Sequence, residues 1–151
     1  VIGLICLGNS LHADDGFGTA VHRRLATRPW PRHVCLHDGS EGGVLDILHQ
    51  CRQAVLITAL SSRLGPPGQV LLLTEAEIPA DPQGPLGAGP ASIVAAMRRL
   101  MQKPPKTEIL GAVAALQVPF SAGLTPLVAA AVETASAMLW RQWGMSQAPA
   151  V

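Results

Sequence analysis

Charge is scarce in this chain: 14% of its residues are Asp, Glu, Lys or Arg, the net charge is +1, and no run of lysine or arginine occurs. Nucleic-acid binding relies on a basic patch or stripe, so that class is excluded. Histidine is missing from everything after His49; the five histidines are His12, His22, His33, His37 and His49. Phosphate and nucleophile motifs are missing too. There is no G-x-x-x-x-G-K-[ST] loop and no G-x-S-x-G elbow. The glycines at 8, 16 and 18 do not have the dinucleotide-binding spacing. Long hydrophobic runs are lacking. "LVAAAVETASAMLW" contains Glu133 and follows Pro126, which argues against a membrane span. The opening "VIGLICLG" reads as too short and too soon interrupted for a signal peptide. Cysteine is limited to Cys6, Cys35 and Cys51, with no metal-type spacing. An odd count without a leader fits reduced thiols in a cytoplasm, acting as small buried hydrophobes.

What remains is apolar. Hydrophobic residues make up 48% of 151, enough for one sizeable core. "IGLICL" reads as a strand covered on both faces. A helix follows from about Asp15, with Phe17, Val21 and Leu25 on its apolar stripe, and "RPWPR" ends it. The strand "HVCLHD", the turn "GSEGG", the helix "VLDILHQC", and the strands "QAVLITAL" and "QVLLLT" come next. "AEIPADPQGPLGAGP" is a long loop, of a kind that is usually functional or mobile. Ile93, Val94, Met97, Leu100 and Met101 mark a third helix, and "TEILGAVAAL" a fifth strand. Thr125 and Pro126 fit the N-cap and first position of a last helix. Its apolar face is Leu127, Val128, Ala131, Val132, Ala135, Met138 and Leu139. The alternation predicts a three-layer α/β/α domain over residues 1–144: a twisted, five-stranded, mostly parallel sheet with helices on both faces. Residues 145–151 are expected to be a disordered tail.

In such sheets ligands bind beyond the carboxyl ends of the strands, at the topological switch. Two acid-bearing loops fall there. "GNSLHADDG" follows the first strand and "DGSEGG" the second, so Asp15 and Asp38 should share one edge. An acid near a helix start can cap it, which would occupy one of Asp14 and Asp15 and leave the other to face the cleft. Asp38 before Gly39 can form an Asx-type turn or supply a second carboxylate. His37 alternates to the opposite face of its strand. His12, in the first loop, is the one histidine placed to reach the cleft.

Four blocks, in order, carry a family resemblance. "GLICLGNSLHADDGFG" resembles the opening of the hydrogenase maturation proteases, a strand followed by G-N-x-L-x-x-D-[DE]-G-x-G. "HDGSEGGVLDIL" resembles their D-G-G-x-x-G-x-x-L segment. "QAVLITALSSRLGPPGQVLLL" resembles their strand, P-G turn and next strand, and "ILGAVAALQVPFSAGLTPLV" their last strand and G-L-[ST]-P helix start. The resemblance spans nearly the whole chain. It implies an α/β fold and a cytoplasmic, monomeric endopeptidase that trims the C-terminal tail of a [NiFe] hydrogenase large-subunit precursor after nickel insertion. It implies catalytic roles for Asp15 and Asp38 and substrate contacts from Gly8, Asn9, Asp14, Gly39, Gly42 and Thr58. Asp15 would face the nickel in the substrate. The two further groups that face nickel in the family, an Asp after the third strand and a His before the third major helix, fall at Thr58 and near Ala91. The open alternatives are a non-catalytic relative that binds a hydrogenase subunit or precursor as a chaperone or checkpoint, and a generic small-ligand α/β domain.

Overall fold

The computed structural model describes residues 1–8, 13–78, 89–115 and 123–145. The tail expected to be disordered lies outside them, apart from Met145. Five strands form one sheet: β1 (Ile2–Cys6), β2 (Val34–Asp38), β3 (Gln53–Leu60), β4 (Val70–Thr74) and β5 (Lys106–Val113). Four helices accompany them: α1 (Phe17–Leu25), α2 (Val44–Gln50), α3 (Pro90–Leu100) and α4 (Pro126–Leu139). The strand order is β2-β1-β3-β5-β4. All pairings are parallel except β4 with β5.

The period-two alternation of the strands sorts their side chains into two cores. Ile2, Leu4, Cys6, Val55, Ile57, Leu110 and Ala112 pack against α1 and α4 through Phe17, Val21, Leu25, Val128, Ala131 and Ala135. Ile5, Ala54, Leu56, Ile109 and Val113 pack on the other face against α2 and α3, through Leu48, Val94 and Met97. This is the three-layer arrangement that the alternation predicts.

The first helix is built as its sequence suggests, with Phe17 and Val21 at 0% exposure. Its last turn carries His22, Arg23 and Arg24, favourable against the negative end of the helix dipole. The indole Nε1 of Trp30 donates to the Leu25 carbonyl at 2.9 Å, satisfying a carbonyl that the helix end leaves open. Trp30 in turn meets Trp140 edge-to-face, with ring centroids 4.9 Å apart. Trp140 opens a widened π-type turn, Trp140–Gly144, that continues α4 and that nothing in the apolar pattern announced.

Three positions assigned to apolar stripes are exposed instead: Leu100 (69%), Leu127 (59%) and Met138 (36%). Helical period fixes a side chain's direction, not the reach of the next layer. Leu127 and Met138 lie on the flank of α4 toward the edge strand β4, where the sheet stops covering the helix.

The thiols behave as small core groups. Cys6 is 1% exposed and Cys51 is 7% exposed, while Cys35 is half-buried. Burial, reinforced by the negative charge of Asp38, pushes the Cys6 thiol far above its ordinary range. Burial also raises Cys51, whose Sγ donates to the Ile47 carbonyl. Since the thiolate is the reactive form, Ellman's reagent should titrate Cys35 alone in the native protein, and all three cysteines after unfolding. Rapid reaction of Cys6 in the native state would contradict this placement.

Candidate active site at the sheet switch

The chain leaves β1 for β2 on one side, then crosses to β3 on the other side of β1. The crevice beyond the carboxyl ends of β1 and β3 is therefore the switch point. Leu7 extends β1 by one bond, its N–H donating to the Ile57 carbonyl at 2.8 Å. The next residue of β3 is Thr58. The loop after β1 returns over this edge as a 3-10 turn, Ala13–Gly16. Asn9 and His12 lie outside the described residues.

Two glycines explain the shape of the opening motif. Gly8 has a φ of +136°, and a Cβ there would lie 2.0 Å from the Asp15 carbonyl oxygen, so the loop passes directly against Asp15. Gly18, in the first turn of α1, would place a Cβ 2.0 Å from the Leu7 carbonyl oxygen and 2.8 Å from that of Ile57. The helix start is thus seated on the ends of β1 and β3.

The two acids of the turn differ. Asp14, expected among the substrate contacts, is instead completely buried. Its carboxylate accepts the Ala115 N–H at 2.8 Å, the Thr125 N–H at 2.8 Å, and the Thr125 hydroxyl at 2.8 and 2.9 Å from its two oxygens. Asp15, its neighbour, is half-buried. The acid cap expected on the first helix is not how α1 begins: the residue at that position is Gly16, which has no side chain to cap with. Thr125 does precede Pro126 at the start of α4, but its side chain makes no capping bond. Its hydroxyl goes to Asp14. Thr125 is a residue whose partner the sequence did not reveal. A polar Thr held between Leu124 and Pro126 at the switch edge was the available signal.

Asp38 ends β2 opposite Cys6, the last residue of β1, so both acid-bearing loops open on one edge as expected. Its Oδ1 accepts the Ser40 N–H at 3.0 Å and the Ser40 hydroxyl at 2.7 Å, the Asx-type turn anticipated for this position. Partial burial raises the Asp38 pKa. The two Ser40 bonds and the positive potential of His22 and His37 outweigh it and hold the carboxyl below its usual range. Asp38 is therefore ionised at neutral pH. The His37 ring makes a 2.8 Å hydrogen bond between Nε2 and the Gly42 carbonyl oxygen, bracing the turn. Gly39 closes tightly on the Cys6 carbonyl, whereas Gly42 (φ +84°) has open space around it.

Thr58 is 8% exposed, and its hydroxyl turns back onto the Ala59 carbonyl at 3.3 Å. It shares a strand face with Leu56 and Leu60, two residues away on either side, so it lies on the α2–α3 side of the sheet. Ala91 sits in the first turn of α3, the helix that packs on that face. Among the described residues, no three His, Cys, Asp or Glu side chains converge to hold a metal ion. A small recess lined by Val55, Leu72, Leu110, Met138 and Trp143 opens under α4, at the opposite end of the strands from these loops.

No family model matches the sequence. Individual proteins do. The chain is 28% identical over 135 residues to the hydrogenase 2 maturation protease of Escherichia coli K12, covering 85% of this chain and 82% of that protein. It superposes on the solution structure of an endopeptidase from Escherichia coli with a TM-score of 0.71 and 27% identity, covering 93% of both chains. The chain is thus similar in sequence and fold to hydrogenase maturation proteases. The fold is shared more widely. A [NiFe] hydrogenase maturation protease, HycI, from Thermococcus kodakarensis superposes with a TM-score of 0.73 over 93% of this chain and 90% of its own, at 17% identity. The acid-bearing turn after β1 and the Asp38 turn share one edge of the sheet, and Thr125–Pro126 opens α4, as the strand–helix pattern predicts. Among the described residues, no helix is long and apolar enough to cross a membrane.

Proposed function

We propose that this chain is an endopeptidase that removes the C-terminal tail of a [NiFe] hydrogenase large-subunit precursor, acting as a monomer in the cytoplasm. One observation carries the reading. The relationship to a hydrogenase maturation protease runs through 85% of this chain and 82% of that protein. In this reading Asp15 faces the nickel that the precursor brings with it. A Lewis-acidic metal polarises a carbonyl or activates water, so the protease has to hold the tail and present ionised carboxylates. Asp38, kept ionised by Ser40 and its histidine neighbours, supplies the second carboxylate. In the same reading Gly8, Gly39, Gly42 and Thr58 contact the peptide, as does Asn9, which lies outside the described residues. Gly42 suits that role because open space surrounds its bare backbone.

The test is incubation of the protein with nickel-loaded precursor, read by the mass of the precursor's C-terminus. The wild type should release the tail. Asp15→Ala should keep its fold by circular dichroism and lose processing by about 100-fold or more, the scale seen when a single preorganised charge-stabilising group is removed. Unimpaired processing by Asp15→Ala would remove that residue from the site. An uncut precursor with the wild type would remove the peptidase reading itself.

A further inference from the structure

We propose that Asp14 is a positioning residue: its buried carboxylate latches the Ala13–Gly16 turn to the β5–α4 junction and so fixes the orientation of Asp15. This rests on the proposed function, which gives Asp15 its work.

Three observations converge. First, Asp14 has 0% exposure, and an ionised carboxylate is costly to bury unless strong hydrogen bonds satisfy it. The bonds here come from far along the chain. Ala115 follows the end of β5, and Thr125 immediately precedes α4. One carboxylate therefore holds both ends of the β5–α4 connection and, through its own backbone, the loop after β1. Second, that loop is under local strain. Ala13, the residue before Asp14, has φ +53°, a left-handed conformation that costs an L-residue roughly 1–2 kcal/mol. Such a conformation persists where the surroundings over-determine it. Third, the backbone of Asp15 is boxed in from below, because Gly8 passes so close that a Cβ would lie 2.0 Å from the Asp15 carbonyl oxygen. With Gly8 beneath it and Asp14 anchored beside it, little backbone freedom remains at Asp15. A site built this way has its carboxylate oriented before substrate arrives, which is the economical arrangement for catalysis.

The Thr125 hydroxyl is the part of the latch that can be removed most gently. Thr125→Val keeps the side-chain shape and both backbone N–H bonds to Asp14, so the fold should survive. Thr125→Ser keeps the hydroxyl. Wild type, Thr125→Val, Thr125→Ser and Asp14→Asn are compared in steady-state processing of nickel-loaded precursor, with Tm recorded for each. Thr125→Val should lower kcat by about 10- to 100-fold, the cost of misplacing a reacting group by a fraction of an ångström to an ångström. Its KM should change far less, and Thr125→Ser should restore kcat to within about twofold, as a retained hydroxyl keeps the group in place. Asp14→Asn should be at least as impaired as Thr125→Val. A second readout is independent of cleavage. The carboxyl-carbon resonance of Asp15, assigned by its loss in Asp15→Ala, should move in Thr125→Val and stay in place in Thr125→Ser.

A merely structural role predicts lower Tm values with unchanged kcat for the folded fraction and an unmoved Asp15 resonance; that result overturns the proposal. Failure of the wild type to cut the precursor is a different result. It overturns the functional reading, while the Asp15 resonance still decides whether the latch exists.

Discussion

Alanine in place of Gly18 should destabilise this protein by about 3 kcal/mol or more, the upper range for forcing extra atoms into a packed interior. For a chain of this size that corresponds to a fall in Tm of roughly 6–12 °C. The reason is what the added methyl would meet. Its nearest neighbours are the Leu7 carbonyl oxygen at 2.0 Å, the Ile57 carbonyl oxygen at 2.8 Å and the Leu7 nitrogen at 2.9 Å. All three are backbone atoms, so no rotamer change can relieve the contact. Two of them, the Leu7 nitrogen and the Ile57 oxygen, are the donor and acceptor of the hydrogen bond that extends β1 alongside β3. Either α1 lifts off the sheet, uncovering Phe17, or that bond breaks. Both outcomes open the switch crevice. Gly42→Ala is the matched control. Gly42 also has a backbone unsuited to alanine (φ +84°), but nothing lies within 4 Å of the added methyl. Its cost should be limited to about 1–2 kcal/mol of backbone strain. Thermal melts of the two variants decide the matter, and a Gly18→Ala protein that melts within a degree or two of wild type would show that α1 is not seated as described.

The ease of reading each element from the sequence tracks how local its cause is. The eight residues of β3, "QAVLITAL", were bounded correctly because an apolar, β-branched run between a polar turn and "SSRLGPPG" leaves no other option. The sorting of Leu4 and Ile5 into different cores follows from strand alternation alone. Asp38 was legible twice over: its Asx-type turn depends on Ser40, two residues away, and its edge depends on the strand it ends. By contrast, the partner of Asp14 is separated from it by 111 residues. No spacing rule connects them, and one of its donors, the Ala115 N–H, leaves no trace in residue identity. The exposed flank of α4 was hidden for a related reason. Leu127 and Met138 share the helical period with the buried Val128 and Ala135. Only the strand order, with β4 on the sheet edge, shows that the sheet leaves that flank partly uncovered among the described residues. Adjacent acids in one short turn thus divide into a buried anchor and a half-exposed group, a division made by tertiary contacts.

Introducing Asp at Thr58 and His at Ala91 together should give the isolated protein a measurable affinity for Ni²⁺, at least about tenfold tighter than wild type, or roughly 1.4 kcal/mol. Among the described residues, the native side chains do not bring three potential ligands together. Thr58 offers only a hydroxyl already turned onto the Ala59 carbonyl, and Ala91 offers nothing. Carboxylate and imidazole donors suit nickel, and the two positions are suitably placed for them. Thr58 follows the last pairing of β3 with β1 and points to the α2–α3 side, while Ala91 sits in the first turn of α3 on that side. The new carboxylate has a cost, because Thr58 is 8% exposed and a buried charge without a partner is destabilising. The Thr58→Asp single variant should therefore melt below wild type, and nickel should raise the Tm of the double variant more than that of either single variant. Adding Asp15→Ala to the double variant should erase the gain, since the site would lose its third donor. Calorimetric titration of Ni²⁺ into all five proteins separates the outcomes. Equal affinity in wild type and double variant would mean that Asp15, Thr58 and Ala91 do not face a common point. A gain that survives Asp15→Ala would place the metal elsewhere on the α2–α3 side, away from the turn that Asp14 holds in place.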